Sequence, residues 1–175
     1  MPRISIIACL LVGLVSPARA DDFDDCNSRR GEAALAACDR IITAGNSSRE
    51  QRGAALINRG QQQYENKNFD RAIEDFTAAI ALKPKRLAMA YNNRGNAYYM
   101  KGDDKAAIEN YTRALDIDDD YAAAYTARGL LHEKSGTFKK ARSDFQSALT
   151  ADTNVADTKW AQETARASLQ KLKSE

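Results

Sequence analysis

One arrangement of residues recurs at a fixed spacing along this chain. Asn-Arg-Gly stands at 58–60 and again at 93–95, and Ala-Arg-Gly follows at 127–129. Twelve residues after each glycine comes an alanine: Ala72, Ala107 and Ala141. Sixteen after it comes an aromatic, Phe76, Tyr111 or Phe145, and nineteen after it a second alanine, Ala79, Ala114 or Ala148. The result is three blocks of 34 residues, 53–86, 88–121 and 122–155, with Leu87 as a single extra residue. A unit this short cannot bury an apolar face alone, so such units must stack and share one core. The small residues let helix backbones approach, and the aromatics fill the space between neighbouring helices. Gly102, Gly136 and the Asn66-Lys67-Asn68 stretch fall where a turn separates two helices and a left-handed residue is favourable. Lys83-Pro84 ends the second helix of the first block, since proline and the residue before it both resist helix.

The pattern resembles the tetratricopeptide repeat family, whose unit is a helix–turn–helix. The resemblance implies an all-α fold, an α-solenoid of antiparallel helix pairs, with repeats at 53–86, 88–121 and 122–155. Some positions depart from the family. Leu56, Tyr91 and Tyr125 stand where it often has tryptophan, and Asp119 and Thr153 replace the proline seen at Pro84. Arg59, Arg94 and Arg128 are each followed sixteen residues on by Asp75, Asn110 and Asp144, which reads as a tie between the two helices of a unit. Exposed pairs of that kind stabilise by about 0–1 kcal/mol. Residues 156–175 complete the array as a C-terminal capping helix. Its apolar stripe is Trp160, Ala161, Thr164, Ala165, Leu169 and Leu172, which assigns Trp160 to the core.

The N-terminus reads as an export signal. Met1-Pro2-Arg3 is a positive start, Ile4 to Val15 an apolar run, and Ala18-Arg19-Ala20 an A-x-A cleavage pattern. At 12 residues the run is shorter than the ~20 of a transmembrane helix. A short retained anchor is the alternative. Cleavage after Ala20 places the mature chain in the periplasm, with no membrane span of its own. The whole chain has 26 Lys+Arg against 24 Asp+Glu, for a net charge of +2. Removing residues 1–20 takes Arg3 and Arg19 and no acid, so the mature chain is formally neutral. That balance lacks the clustered basic excess of a nucleic-acid binder.

Two cysteines remain, Cys26 and Cys38, an even count in an exported chain. Residues 33–42 align with 71–80, so Cys38 takes the place of Phe76 and Cys26 that of Tyr64. Residues 21–52 therefore read as a degenerate hairpin, with helices at 22–29 and 32–43 and the two cysteines facing each other as a disulfide. The spacing excludes a C-x-x-C redox site, and a metal site lacks a nearby histidine. Signal, paired cysteines and repeats together look like small exported tetratricopeptide proteins of Gram-negative bacteria.

No catalytic constellation emerges, and no cofactor is implied. His132 is the only histidine and sits where an aromatic packs. Asp116 to Asp120 lacks the glycine and bidentate glutamate of a calcium loop, because Tyr121 and Ala127 stand there. What remains is a surface. In the family, the first helix of each unit lines a concave groove that holds a protein or an extended peptide. Carried over by position, that face is Ile57, Asn58, Gln61, Tyr64 and Glu65 in the first unit. It is Met89, Asn92, Asn93, Asn96, Tyr99 and Met100 in the second, and Ala123, Thr126, Ala127, Leu130, Glu133 and Lys134 in the third. The groove residues expected to bind are Asn58, Gln61, Tyr64, Asn92, Asn93, Asn96, Tyr99 and Leu130. Asn93 fits the carboxylate-gripping clamp of some family members, but Ile57, Ala123 and Ala127 stand where that clamp needs cations. Two readings stay open: a non-catalytic peptide-binding scaffold of the bacterial envelope, or a structural subunit that self-associates and leaves its groove unused.

Overall fold

The computed structural model describes residues 17–28, 30–151 and 158–172. The expected leader lies outside them up to Ser16. Every element among the described residues is a helix. α1 (Ala20–Ser28) pairs with α2 (Glu32–Thr43), and α3 (Arg49–Glu65) with α4 (Phe69–Leu82). α5 (Leu87–Met100) pairs with α6 (Asp104–Ile117), and α7 (Ala122–Lys134) with α8 (Phe138–Thr150). The pairs stack through α2 on α3, α4 on α5 and α6 on α7, and α9 (Thr158–Lys171) lies against both α7 and α8. This is an all-α solenoid. No helix among the described residues is long and apolar enough to cross a membrane.

Local chemistry sets the helix ends. α3 starts four residues before its repeat block because Ser48 and Gln51 form a capping box. Ser48 Oγ accepts from the Gln51 N–H at 3.1 Å, and Gln51 Oε1 accepts from the Ser48 N–H at 2.7 Å. The turns inside the three units reverse through Lys67 (φ 62°), Gly102 (φ 81°) and Gly136 (φ 72°). Lys67 adopts in the first unit the left-handed conformation that glycine provides in the other two.

The wedges Phe76, Tyr111 and Phe145 are enclosed, each against the glycine of its own unit. A Cβ on Gly60, Gly95 or Gly129 would lie 2.8, 2.7 or 2.7 Å from the facing ring. These glycines are therefore there for room. Three apolar clusters each hold one wedge, a fourth lies around Tyr121 and Ala161, and the disulfide belongs to a fifth at the N-terminal end. Cys26 and Cys38 are bonded with their Cα atoms 4.9 Å apart, and Arg40 Nε donates to Asp22 Oδ1 at 2.8 Å across the same hairpin. Ala18, within the expected cleavage pattern, donates its N–H to Asn46 Oδ1 at 2.9 Å.

The recurring arginines do more than tie one unit. Arg59 Nε donates to Asp75 Oδ2 at 3.0 Å, while its Nη1 reaches Asp39 on α2. Arg94 bonds Asn110 Oδ1 at 2.8 Å and Thr77 Oγ1 at 2.9 Å, and Arg128 bonds Asp144 Oδ2 at 3.0 Å and Thr112 Oγ1 at 3.1 Å. Each guanidinium joins both helices of its unit to the unit before. The acceptors Asp75, Asn110 and Asp144 are buried, so the exposed-pair estimate does not apply. Removing a partner strands a buried polar group, at about 1–3 kcal/mol.

Trp160, expected in the core, is 55% exposed and outside it. Ala161 and Ala165 take the enclosed face of α9 instead. A single residue step turns a side chain by about 100° around a helix, which carries the indole off the packed face.

Candidate functional site

α3, α5 and α7 contribute successive side chains to two adjoining cavities. The first, about 240 Å³, is lined by Ile57, Asn58, Gln61, Tyr64, Met89, Asn93 and Asn96, with Tyr121. The second, about 770 Å³, shares Tyr64 and Asn96 and continues over Tyr99, Met100, Ala127, Leu130, Glu133 and Lys134. Together they make one groove, with an amide channel at one end and an apolar cup at the other.

The structure thus brings Asn58, Gln61, Tyr64, Asn93, Asn96, Tyr99 and Leu130 to one groove. Asn92 is not among its lining residues. It is buried, its Nδ2 lies 3.4 Å from Asn93 Oδ1, and its Oδ1 has no partner among the described residues. The third unit contributes less than its register implied. Thr126 is enclosed and donates to the Ala161 carbonyl at 3.0 Å, and Ala123 is buried in the same cluster as Ala161. α9 covers that stretch of α7. Glu65 lines neither cavity; it pairs with Arg30.

The channel amides are partly committed. Gln61 Nε2 donates to Glu65 Oε1 at 3.1 Å, and Asn58 lies 3.4 Å from both Asn27 Oδ1 and Arg86 Nη2. At Asn96 the orientation is set from behind, because the Tyr111 hydroxyl donates to Asn96 Oδ1 at 2.8 Å. Burial pushes the Tyr111 phenol up, so it remains a protonated donor. Asn96 therefore turns its amide NH₂ outward. Among the described residues, no group accepts from Nδ2 of Asn96 or of Asn93, and both line the channel. Such donors suit the carbonyls of an extended chain.

Five cup residues come from positions outside the expected face: Tyr111, Leu131 on α7, Phe138 at the start of α8, and Trp160 and Lys171 on α9. Phe76 and Phe145 show that the ring at position 111 packs without its hydroxyl. The extra oxygen in the second unit was the available signal. Phe138 and the α9 residues lie off the first helices of the units, so their register pointed elsewhere.

The cup's cations are paired. Lys134 Nζ lies 2.6 Å from Asp104 Oδ2 and 5.7 Å from the Tyr99 ring centre, and Lys171 Nζ lies 2.7 Å from Glu133 Oε1. His132 stands apart from the groove, half-buried, with Nε2 3.9 Å from Asp144 Oδ2 and Nδ1 3.1 Å from Thr137 Oγ1. Among the described residues, no three His, Cys, Asp or Glu side chains gather as metal ligands.

Residues 53–86 and 122–155 each match a family model described as tetratricopeptide repeat, and residues 95–136 match one described as TPR repeat. Together these matches cover more than half of the chain. Tetratricopeptide repeat protein 36 of Xenopus tropicalis is 36% identical over 101 residues, covering 55% of this chain and 50% of that protein. The chain spans about half or less of the length of the curated relatives it matches. Among solved structures, the Arabidopsis OM64 TPR domain superposes with a TM-score of 0.58 at 26% identity, covering 69% of this chain and 99% of that one. The second TPR of Spaghetti (RPAP3), bound to the HSP90 peptide SRMEEVD, gives a TM-score of 0.55 at 27% identity, over 59% of this chain and 94% of that one.

Proposed function

We propose that this chain, which belongs to the tetratricopeptide repeat family, is a non-catalytic binding module that holds an extended peptide in its groove. The observation that carries this is the free amide NH₂ of Asn96, oriented by Tyr111 beside an apolar cup. Main-chain carbonyls supply acceptors at every residue, so a row of side-chain donors holds an extended segment whatever its side chains. A related structure has a peptide bound, which supports the same use here.

The module works outside the cytoplasm, in the periplasm of a bacterial envelope. The leader pattern of residues 1–20 and the Cys26–Cys38 disulfide support this, since disulfides persist in oxidising compartments. The test is crosslinking and pull-down of the mature chain from its own envelope fraction. A partner is expected with wild type and is lost with Asn93→Ala combined with Tyr99→Ala. Equal recovery with that double variant refutes the groove as the working surface. Oligomers on sizing chromatography, unchanged by the double variant, would favour the self-associating subunit instead.

A further inference from the structure

The groove's lining also selects the kind of peptide it holds. Among the described residues, five large hydrophobics are exposed, and four of them (Tyr99, Met100, Phe138 and Trp160) line the one cup. Single exposed hydrophobics are ordinary, but a group of four around one concavity marks a binding surface. The cup's volume of about 770 Å³ lies within the range of ligand pockets, about 300–1,000 Å³.

Charge complementarity narrows the occupant. The channel lining contains no charged residue. In the cup, Lys134 is matched by Asp104 and Lys171 by Glu133, so the rim is compensated. Arg86 lies outside both linings, beyond Asn58. An acidic peptide would bring carboxylates into a groove whose rim cations already hold carboxylates, and desolvating an unmatched charge is costly. A neutral segment avoids that cost. Its carbonyls meet the Asn93 and Asn96 amides, and an apolar side chain displaces water from the cup.

Resting on the groove reading above, we infer that the preferred ligand is an extended, uncharged peptide segment that inserts one bulky apolar side chain into the Tyr99–Met100–Phe138–Trp160 cup. Its recognition requires neither acidic side chains nor a free C-terminal carboxylate.

Trp160 is the only tryptophan in the chain and stands in the cup, so its fluorescence reports occupancy. The mature protein is selected against a positional library of short peptides blocked at both ends, and the enriched peptide is titrated with Trp160 as the probe. The expected result is enrichment of Phe, Leu, Met or Trp at one position and a saturable change in the Trp160 signal. Replacing that residue by alanine should weaken binding roughly 10–100-fold, and the acid-ended peptide SRMEEVD should bind no better than the alanine version. Met100→Glu changes an exposed side chain, so the fold survives, and it should abolish the apolar preference. Enrichment of acidic residues, dependence on a free carboxylate, no enrichment, or unchanged selection with Met100→Glu each overturns the inference. The groove reading stands separately if the envelope partner is still captured and still lost with the Asn93 and Tyr99 substitutions.

Discussion

Replacing Gly129 by alanine should destabilise this protein, although alanine is the better helix former. In an open helix interior the exchange stabilises by about 0.5–1 kcal/mol. At position 129 the new Cβ would lie 2.7 Å from Phe145 Cε1, 2.9 Å from Cδ1 and 3.2 Å from Cζ. Carbon atoms pack best near 3.5–4.0 Å, so the ring would have to retreat by about an ångström. It has nowhere to go, because Phe145 is enclosed in a cluster with Ala141, Ala148 and Ala165, themselves enclosed. Overpacking of this kind costs about 1–3 kcal/mol. Subtracting the helix-propensity gain leaves a net loss of about 1 kcal/mol, or about 2–4 °C in Tm for a chain of this size. Urea titration and thermal melting followed by far-UV circular dichroism would measure it. Phe145→Leu shortens the side chain that the Cβ strikes, so on that background the alanine should cost nothing or stabilise. Such a difference between contacting residues is a coupling that a double-mutant cycle isolates. The steric account fails if Gly129→Ala matches or exceeds wild-type stability, or costs the same on both backgrounds.

Two further outcomes follow from the remaining features. Burial holds the His132 imidazole below its ordinary value, so the unfolded chain takes up the proton first as pH falls. Stability should decline as pH drops below the unfolded value of about 6.5, and urea midpoints of His132→Gln between about pH 7.5 and 5.5 should lack that component. Reduction, or Cys26→Ser with Cys38→Ser, opens a short loop worth about 3 kcal/mol in the chain-entropy model. Hydrogen exchange should then quicken across α1 and α2 and stay unchanged in α5 to α8; equal acceleration throughout would contradict a local staple.

The repeat register was legible because its signals are spaced along one helix or one helix pair. The wedges, the facing glycines and the left-handed turns all follow from that spacing. Side-chain aim around a helix was less legible. Asn92 and Asn93 are neighbours of the same chemistry, yet one is buried and the other lines the channel. Trp160 and Ala161 differ in the same way on α9. An apolar stripe locates a helix face to within a residue or so, and one residue separates core from groove. The role of the Tyr111 hydroxyl depends on the distance from α6 to Asn96 on α5, which no pattern within one strip of sequence contains.

The arginine joints also describe how such a chain can lengthen. Asp39, Thr77 and Thr112, each one residue past Cys38, Phe76 and Tyr111, receive the arginine of the following pair. An in-frame duplicate of residues 88–121 inserted before residue 122 would bring its own Arg94 equivalent to Thr112 and offer its own Thr112 equivalent to Arg128. Both joints would then use donor and acceptor types already present. The joint is independent of how many copies precede it, so the array can grow from within by duplication while both of its ends stay as they are.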